Sequence, residues 1–352
     1  MRLFCMRYGR RLVLIAAVSA LWGAGPETVV FDTDSGIFGD DGAALVMLLR
    51  SPEQVTVTGV TVTPGNVWAA QGAEYTLHIL DLLQRPQVAV YTGAETPLVQ
   101  SAAMASEFAR RWGPLEYTGA FALNPAEVAP APGAKPTGRR AHAGSAAGFL
   151  ISEIERRPGE VTILATGPMT NLALALRLKP SIETKIRRIV FMGGNVKVAG
   201  NASKAAEFNF WFDPEAARVV LRSRIPEKIM FGLDVCLKAP IRRAEFERIA
   251  GAHTPITELF REDLGNRYPG FLKHPEAITY LWDSLAAGYL VDPGYVTKWD
   301  TRYLDVVTVW DKFYGATVPL DRRVAPDATP VTLVTEIDFA RVFAILKDRL
   351  TR

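Results

Sequence analysis

The sequence predicts an α/β fold: a mostly parallel central sheet flanked by helices, an open sheet of the Rossmann-like type. Three observations lead there. β-branched and apolar runs alternate with segments of helical apolar spacing. Polar residues collect directly after those runs, and ligands in such sheets sit beyond the carboxyl ends of the strands. No internal repeat or low-complexity linker divides the chain, so a single domain over 27–352 is expected, with helical insertions near the site.

The elements follow in order. Thr28 to Phe31 reads as a strand, and Gly42 to Arg50 carries the spacing of an amphipathic helix. Val55 to Thr63 is a β-branched strand ended by Pro64-Gly65-Asn66, Ala69 to Leu83 the next helix, and Val88 to Tyr91 a third strand. The alternation resumes with a strand at Val161 to Ala165, a helix at Asn171 to Leu178 and a strand at Ile189 to Met192. A helix at Pro214 to Ser223 and a strand at Ile229 to Leu233 complete it. Strands linked through helices imply right-handed crossovers and a parallel sheet covered on both faces. Residues 101–145, rich in Ala, Pro and Gly, read as a long insertion bordering the site, and 251–295 reads as helical. The tail offers strands at Thr301 to Val309 and Val331 to Ile337, then a final helix started by Asp338.

The densest chemical signal is VFDTDSGIFGDDGAAL at 30–45, where Asp32, Asp34, Asp40 and Asp41 crowd the junction of a strand and a helix. So many carboxylates repel one another unless a cation neutralises them or some stay protonated. The donors are all oxygens, which favours Ca²⁺ or Mg²⁺ over Zn²⁺, and the uneven spacing suits a flexible Ca²⁺ shell. The structural alternative is a solvated acidic loop with Asp40 or Asp41 capping the helix. A net charge of +3 argues against a nucleic-acid surface and leaves a small molecule as the expected partner.

Residues 1–24 carry Arg2, Arg7, Arg10 and Arg11 ahead of an apolar stretch from Leu12 to Trp22. That stretch is short for a membrane span but fits a signal-peptide core, so a periplasmic or secreted protein is expected, with no membrane association beyond the leader. Cleavage would remove Cys5 and leave Cys236 alone, without an intrachain disulfide.

Six motifs in order extend the acidic cluster: DTDSG followed by DD, TPGN at 63–66, VYTGAETPL at 90–98, ILATGPMTNLALAL at 163–176, FMGGN at 191–195 and GNASKAAEFNFWFDPEAA at 200–217. Together they resemble the nucleoside hydrolase family, calcium-dependent enzymes that cleave the N-glycosidic bond of ribonucleosides. The resemblance implies that Asp34 and Asp41, the backbone carbonyl of Thr166 and the carboxylate of Asp283 bind Ca²⁺, while Asp32 braces the loop from behind. It implies Asp40 as general base, and Asn66, Met192, Asn201, Glu207, Phe208 and Asn209 as residues around the ribose. A homo-oligomer, dimer or tetramer, is expected on the same ground.

The chain departs from the family pattern in three places. Phe38 and Gly39 lengthen the first motif; Trp282 precedes Asp283 where many members have His; and Trp112 stands where another His often lies. Two indoles in place of two imidazoles are similar to the purine-specific branch. Stacking on Trp112 and Trp282 would then favour a protonated purine as leaving group. Hydrolysis of purine nucleosides is therefore expected. The alternatives are a pyrimidine-preferring or broad hydrolase and a non-catalytic ribose- or nucleoside-binding protein. A phosphohydrolase with a nucleophilic Asp loop fits poorly, because Ser35-Gly36 follows the second Asp where Thr or Val is needed.

Overall fold

The computed structural model describes residues 25–125, 138–267, 273–274, 276–323 and 325–352. The expected leader at 1–24, with Cys5, lies outside the described residues.

Along the chain the elements are β1 (Glu27–Thr33), α1 (Gly39–Leu49), β2 (Val55–Val62), α2 (Ala69–Leu82), β3 (Val90–Thr92), α3 (Ala102–Trp112) and α4 (Ala146–Arg156). Then come β4 (Val161–Ala165), α5 (Thr170–Leu178), β5 (Arg188–Met192), α6 (Phe208–Phe212), α7 (Pro214–Arg222), β6 (Lys228–Phe231) and α8 (Leu233–Cys236). The remainder comprises β7 (Pro240–Ile241), α9 (Arg243–Ala250), α10 (Pro255–Arg267), β8 (Thr279–Tyr280), α11 (Trp282–Val291), β9 (Val296–Val306), β10 (Thr317–Pro319), β11 (Pro330–Ile337) and α12 (Phe339–Thr351). No helix among the described residues is long and apolar enough to cross a membrane.

The sheet has the order β10-β9-β11-β6-β5-β4-β1-β2-β3. From β11 across to β3 every neighbouring pair is parallel, and β9 and β10 close one edge antiparallel. Alternate residues of the inner strands feed two separate cores, as the two-residue period of a strand requires. Val29, Phe31, Leu164, Val190 and Phe231 face one layer with α1, α11 and α12, whereas Val30, Ile163, Phe191 and Met230 face the other with α4, α5 and α7.

The strand order places the site. From β1 the chain moves outward through β2 to β3, then returns to lay β4 on the other side of β1. The segments leaving β1 and β4 therefore diverge, opening a crevice at their carboxyl ends. Asp32 is in register with Ala165, and the Thr166 amide donates to the Asp32 carbonyl at 2.9 Å, so the two loops start side by side.

Several boundaries differ from those expected. The first helix begins at Gly39, whose φ of +59° turns the chain into the helix, so Asp40 and Asp41 occupy its first turn and neither caps it. Carboxylates there lie against the positive end of the helix dipole. The insertion at 101–145 contains α3, whose Ser101 side chain accepts from the Met104 amide as an N-cap. The stretch at 251–295 is not continuously helical, since β8 pairs with β7 between α10 and α11. β9 starts at Val296, ahead of the expected Thr301. Asp338 caps the last helix as expected, accepting from the Arg341 amide.

Candidate active site

A cavity of about 370 Å³ opens at the carboxyl ends of the strands. A volume of that order holds a small-molecule ligand. Of the residues expected to act, Asp34, Asp40, Asn66, Thr166, Met192, Asn201, Glu207, Phe208, Asn209, Trp282 and Asp283 all line it. Asp41 and Asp32 are buried and absent from its wall.

The acidic cluster draws on three elements, two of them consecutive and the third far away in sequence. Asp34 leaves β1, Asp40 and Asp41 ride the first turn of α1, and Asp283 sits in the first turn of α11. Carboxylate oxygens of Asp40, Asp41 and Asp283 lie within 4.8 Å of one another. Oxygens sharing a cation at about 2.4 Å each fall within about 5 Å of one another, so this grouping has the size of a calcium shell. The expected trio had Asp34 in the place Asp40 takes here. Asp34 is instead drawn toward the loop after β2, where its Oδ2 accepts the Asn66 amide at 2.7 Å. A Cβ on Gly65 would lie 2.1 Å from that same oxygen and one on Gly167 2.8 Å from the Asp34 Cβ, so two glycines let the backbone close around this side chain.

Asp41 is gripped from three sides. Its Oδ1 accepts from the hydroxyls of Thr33 at 2.5 Å and Thr166 at 2.9 Å, and its Oδ2 accepts from the Asn66 amide nitrogen Nδ2 at 3.1 Å. Behind the cluster, Asp32 Oδ1 accepts from Thr61 at 2.6 Å and from Asn171 at 2.8 Å, while its Oδ2 is buried without a partner. These contacts set Asp32 behind the cluster and off the cavity wall.

Burial and mutual repulsion set the charge state. Burial, then the charges of Asp41 and Asp40, push the Asp34 carboxyl well above its usual range. Burial, followed by Asp40, Asp41 and Asp34, does the same to Asp283, which also hydrogen-bonds to Asp40. Burial raises Asp32 to about 6 against the lowering effect of its two hydrogen bonds. Each of these groups binds a proton more tightly folded than unfolded. The stability they contribute is therefore fully present below the ordinary carboxylate range and is lost as pH rises, through about 6 for Asp32 and through the raised ranges of Asp34 and Asp283. A divalent cation relieves that repulsion at neutral pH. The donor set, all oxygen and compressed to the size of a shell, fits such an ion.

The opposite wall comes from the loop after β5 and the short helix α6. Glu207 caps α6, its Oε1 accepting from the Asn209 amide and its Oε2 from the amides of Gly194 and Phe210. Asn209 gives both hydrogens of Nδ2 to the carbonyls of Thr166 at 2.7 Å and Met192 at 3.1 Å, which leaves Oδ1 as its remaining acceptor. Asn201 has the complementary arrangement: its Oδ1 accepts the Phe208 amide at 2.8 Å, leaving Nδ2 as a donor. An acceptor and a donor are thus both held in place on this wall.

Trp112 requires a correction. It does not line the cavity but ends α3, where its ring packs edge-on to Phe108 one turn earlier, at 4.9 Å, and to Trp310 at 5.5 Å. Trp282 does line the cavity, beside Tyr280 at 5.0 Å, so an indole sandwich is not assembled. Aromatic lining comes instead from Tyr117, Phe208, Phe260, Tyr280 and Trp282. None of His78, His142, His253 and His274 lines it. The sequence reading missed Tyr117 and Asp263. Tyr117 donates its hydroxyl to Asn66 Oδ1 at 2.8 Å, and Asp263 Oδ2 accepts the Gly39 amide at 2.8 Å.

The sequence profile described as inosine-uridine preferring nucleoside hydrolase matches residues 29–344. The pyrimidine-specific ribonucleoside hydrolase RihA of Salmonella gallinarum is 33% identical over 329 residues, covering 92% of this chain and 97% of that protein. Among solved structures, the plant nucleoside hydrolase PpNRh1 enzyme superposes with a TM-score of 0.75 at 26% identity, covering 93% of this chain and 99% of that one. The purine-preferring ribonucleoside hydrolase from Gardnerella vaginalis gives a TM-score of 0.72 at 26% identity, covering 92% of this chain and 98% of that one.

Proposed function

From the premise that this chain belongs to the nucleoside hydrolase family and cleaves the N-glycosidic bond of nucleosides, we propose that its substrates are ribonucleosides, that purine bases are preferred and that Ca²⁺ is its cofactor. The observation that carries the metal reading is the convergence of Asp40, Asp41 and Asp283 within 4.8 Å, with Asp34 close enough to be shifted by two of them. Asp34, Asp41, Asp283 and the Thr166 carbonyl would hold the ion. When bound, it supplies positive charge that draws a water and the sugar hydroxyls against the carboxylates.

Asp40 takes the proton of the attacking water. It is half-buried, on the cavity wall, and placed by the first turn of α1 among the other carboxylates. Cleavage passes through an oxocarbenium-like sugar, whose developing charge the surrounding carboxylates and oriented amide dipoles stabilise. Asn201 donates to a ribose hydroxyl, Asn209 accepts from another, and Phe208 and Met192 supply the apolar surface between them.

With no imidazole in the described lining, the base must leave without a side-chain acid of that kind. A purine can take a proton from solvent at N7, and stacking on Trp282 favours the cationic ring. This supports the purine reading without Trp112. A pyrimidine preference is the second reading, favoured by the pyrimidine-specific name of a relative 33% identical to this chain. Release of free ribose from inosine, guanosine, adenosine and uridine separates the two. The purine reading expects inosine or guanosine to exceed uridine in kcat/KM by about tenfold or more, the order of discrimination a few contacts provide; uridine ahead by the same factor overturns it. The leader at 1–24 supports export to the periplasm or medium, and a dimer or tetramer completes the proposal.

A further inference from the structure

We propose that Tyr117 is a positioning residue, whose hydroxyl fixes the side-chain amide of Asn66 and through it the cation affinity of the acidic cluster. The inference rests on the reading that the cluster holds a divalent cation. Asn66 touches the cluster twice, its backbone amide donating to Asp34 Oδ2 at 2.7 Å and its Nδ2 to Asp41 Oδ2 at 3.1 Å. A side-chain amide has a donor end and an acceptor end, and turning it over would set Oδ1 against the Asp41 carboxylate. The Tyr117 hydroxyl, donating to Oδ1 at 2.8 Å, holds the amide with its donor end toward Asp41.

The segment carrying Tyr117 is strapped to this task from both sides. The Glu116 amide donates to the Ala202 carbonyl at 2.9 Å, and the Ala120 amide donates to the carbonyl of Gly65, next to Asn66, at 2.7 Å. Gly119, at a φ of +52°, permits that approach: a Cβ there would meet the Gly65 oxygen at 2.2 Å. The Tyr117 ring lies against Phe208 at 4.6 Å, so the hydroxyl is delivered by a ring already packed on the sugar-side wall. The insertion thereby reaches the carboxylates through one hydrogen-bonded chain, Tyr117 to Asn66 to Asp41. Residues that orient ligands from outside the first shell affect metal affinity by about 10- to 100-fold, and one further step removed should fall at the lower end.

The test is calorimetric titration of Ca²⁺ into cation-free wild type, Tyr117→Phe, Asn66→Ala and the double variant. Tyr117→Phe keeps the ring on Phe208, and its thermal melt without calcium checks that the fold is intact. The expected result is calcium bound about tenfold more weakly by Tyr117→Phe, with no further loss when the change is made in Asn66→Ala. Excess calcium should restore kcat with KM unchanged. Affinity within about twofold of wild type, an equal loss in both backgrounds, or a raised KM with unaltered calcium binding would each overturn the proposal. Wild type that takes up no calcium overturns the cation reading, and the inference with it.

Discussion

Asp40→Asn is expected to lower kcat by about 10² to 10⁴-fold, the usual contribution of a positioned general base, while the protein stays folded and still binds calcium. Asn is close to Asp in size and can still hydrogen-bond to Asp283, so packing at the first turn of α1 is kept. What is lost is the capacity to accept a proton from water, together with one charge of the cluster. Steady-state ribose release beside a calcium titration of the same variant checks this. The same measurement on Asp34→Asn tests the division of labour. Asp34 is buried and held by the Asn66 amide, so its replacement should weaken calcium as well as turnover. If Asp34→Asn loses turnover with calcium affinity intact while Asp40→Asn loses calcium, the two roles are exchanged.

Asp283→Asn should produce effects of opposite sign on the two forms of the protein. Without cation, Asp283 is a buried carboxyl repelled by Asp40, Asp41 and Asp34. Wherever the pH is high enough for the wild-type carboxyl to be charged, removing that charge relieves the repulsion, so the cation-free variant should melt above cation-free wild type there, by about 1.5 °C for each kcal/mol relieved. The advantage should shrink as pH falls and the wild-type carboxyls take up protons, because the raised values of Asp32, Asp34 and Asp283 make acid stabilising. With calcium present the order should reverse, since the variant lacks a ligand and gains little from the ion. Melting curves across pH with and without calcium read out both signs. A variant destabilised in both forms would place Asp283 in packing rather than in the cation site.

Much of this architecture is legible in the sequence because its signals are local. Inner strands such as Val161 to Ala165 are β-branched and apolar runs bounded by polar residues, and the crowding of Asp32, Asp34, Asp40 and Asp41 is visible without any contact map. Asp283 is harder to place: α11 packs closely on α1, which brings it to Asp40 and Asp41, and only the family resemblance pointed to it. The misplacement of Trp112 has a local cause that the sequence also contains. Phe108 and Trp112 stand four apart on α3, the spacing at which two rings on one helix meet, and Trp310 completes the cluster from a distant turn. Tyr117 escaped because its neighbours carry neither the helical nor the strand period, and its partner Asn66 lies 51 residues away. The early start of α1 depends on a positive φ at Gly39 and on Asp263, from α10, accepting its amide.

The central claim is that Asp34, Asp41 and Asp283, with Asp40 beside them, hold one divalent cation on which hydrolysis depends. Titration of calcium into the cation-free wild-type protein, in two buffers of different ionisation enthalpy near neutral pH, tests it directly. The account predicts one ion per chain and release of protons on binding, because carboxyls raised by burial and mutual repulsion give up their protons when the ion arrives. An absence of saturable binding, together with ribose release that a chelator leaves unchanged, would contradict it.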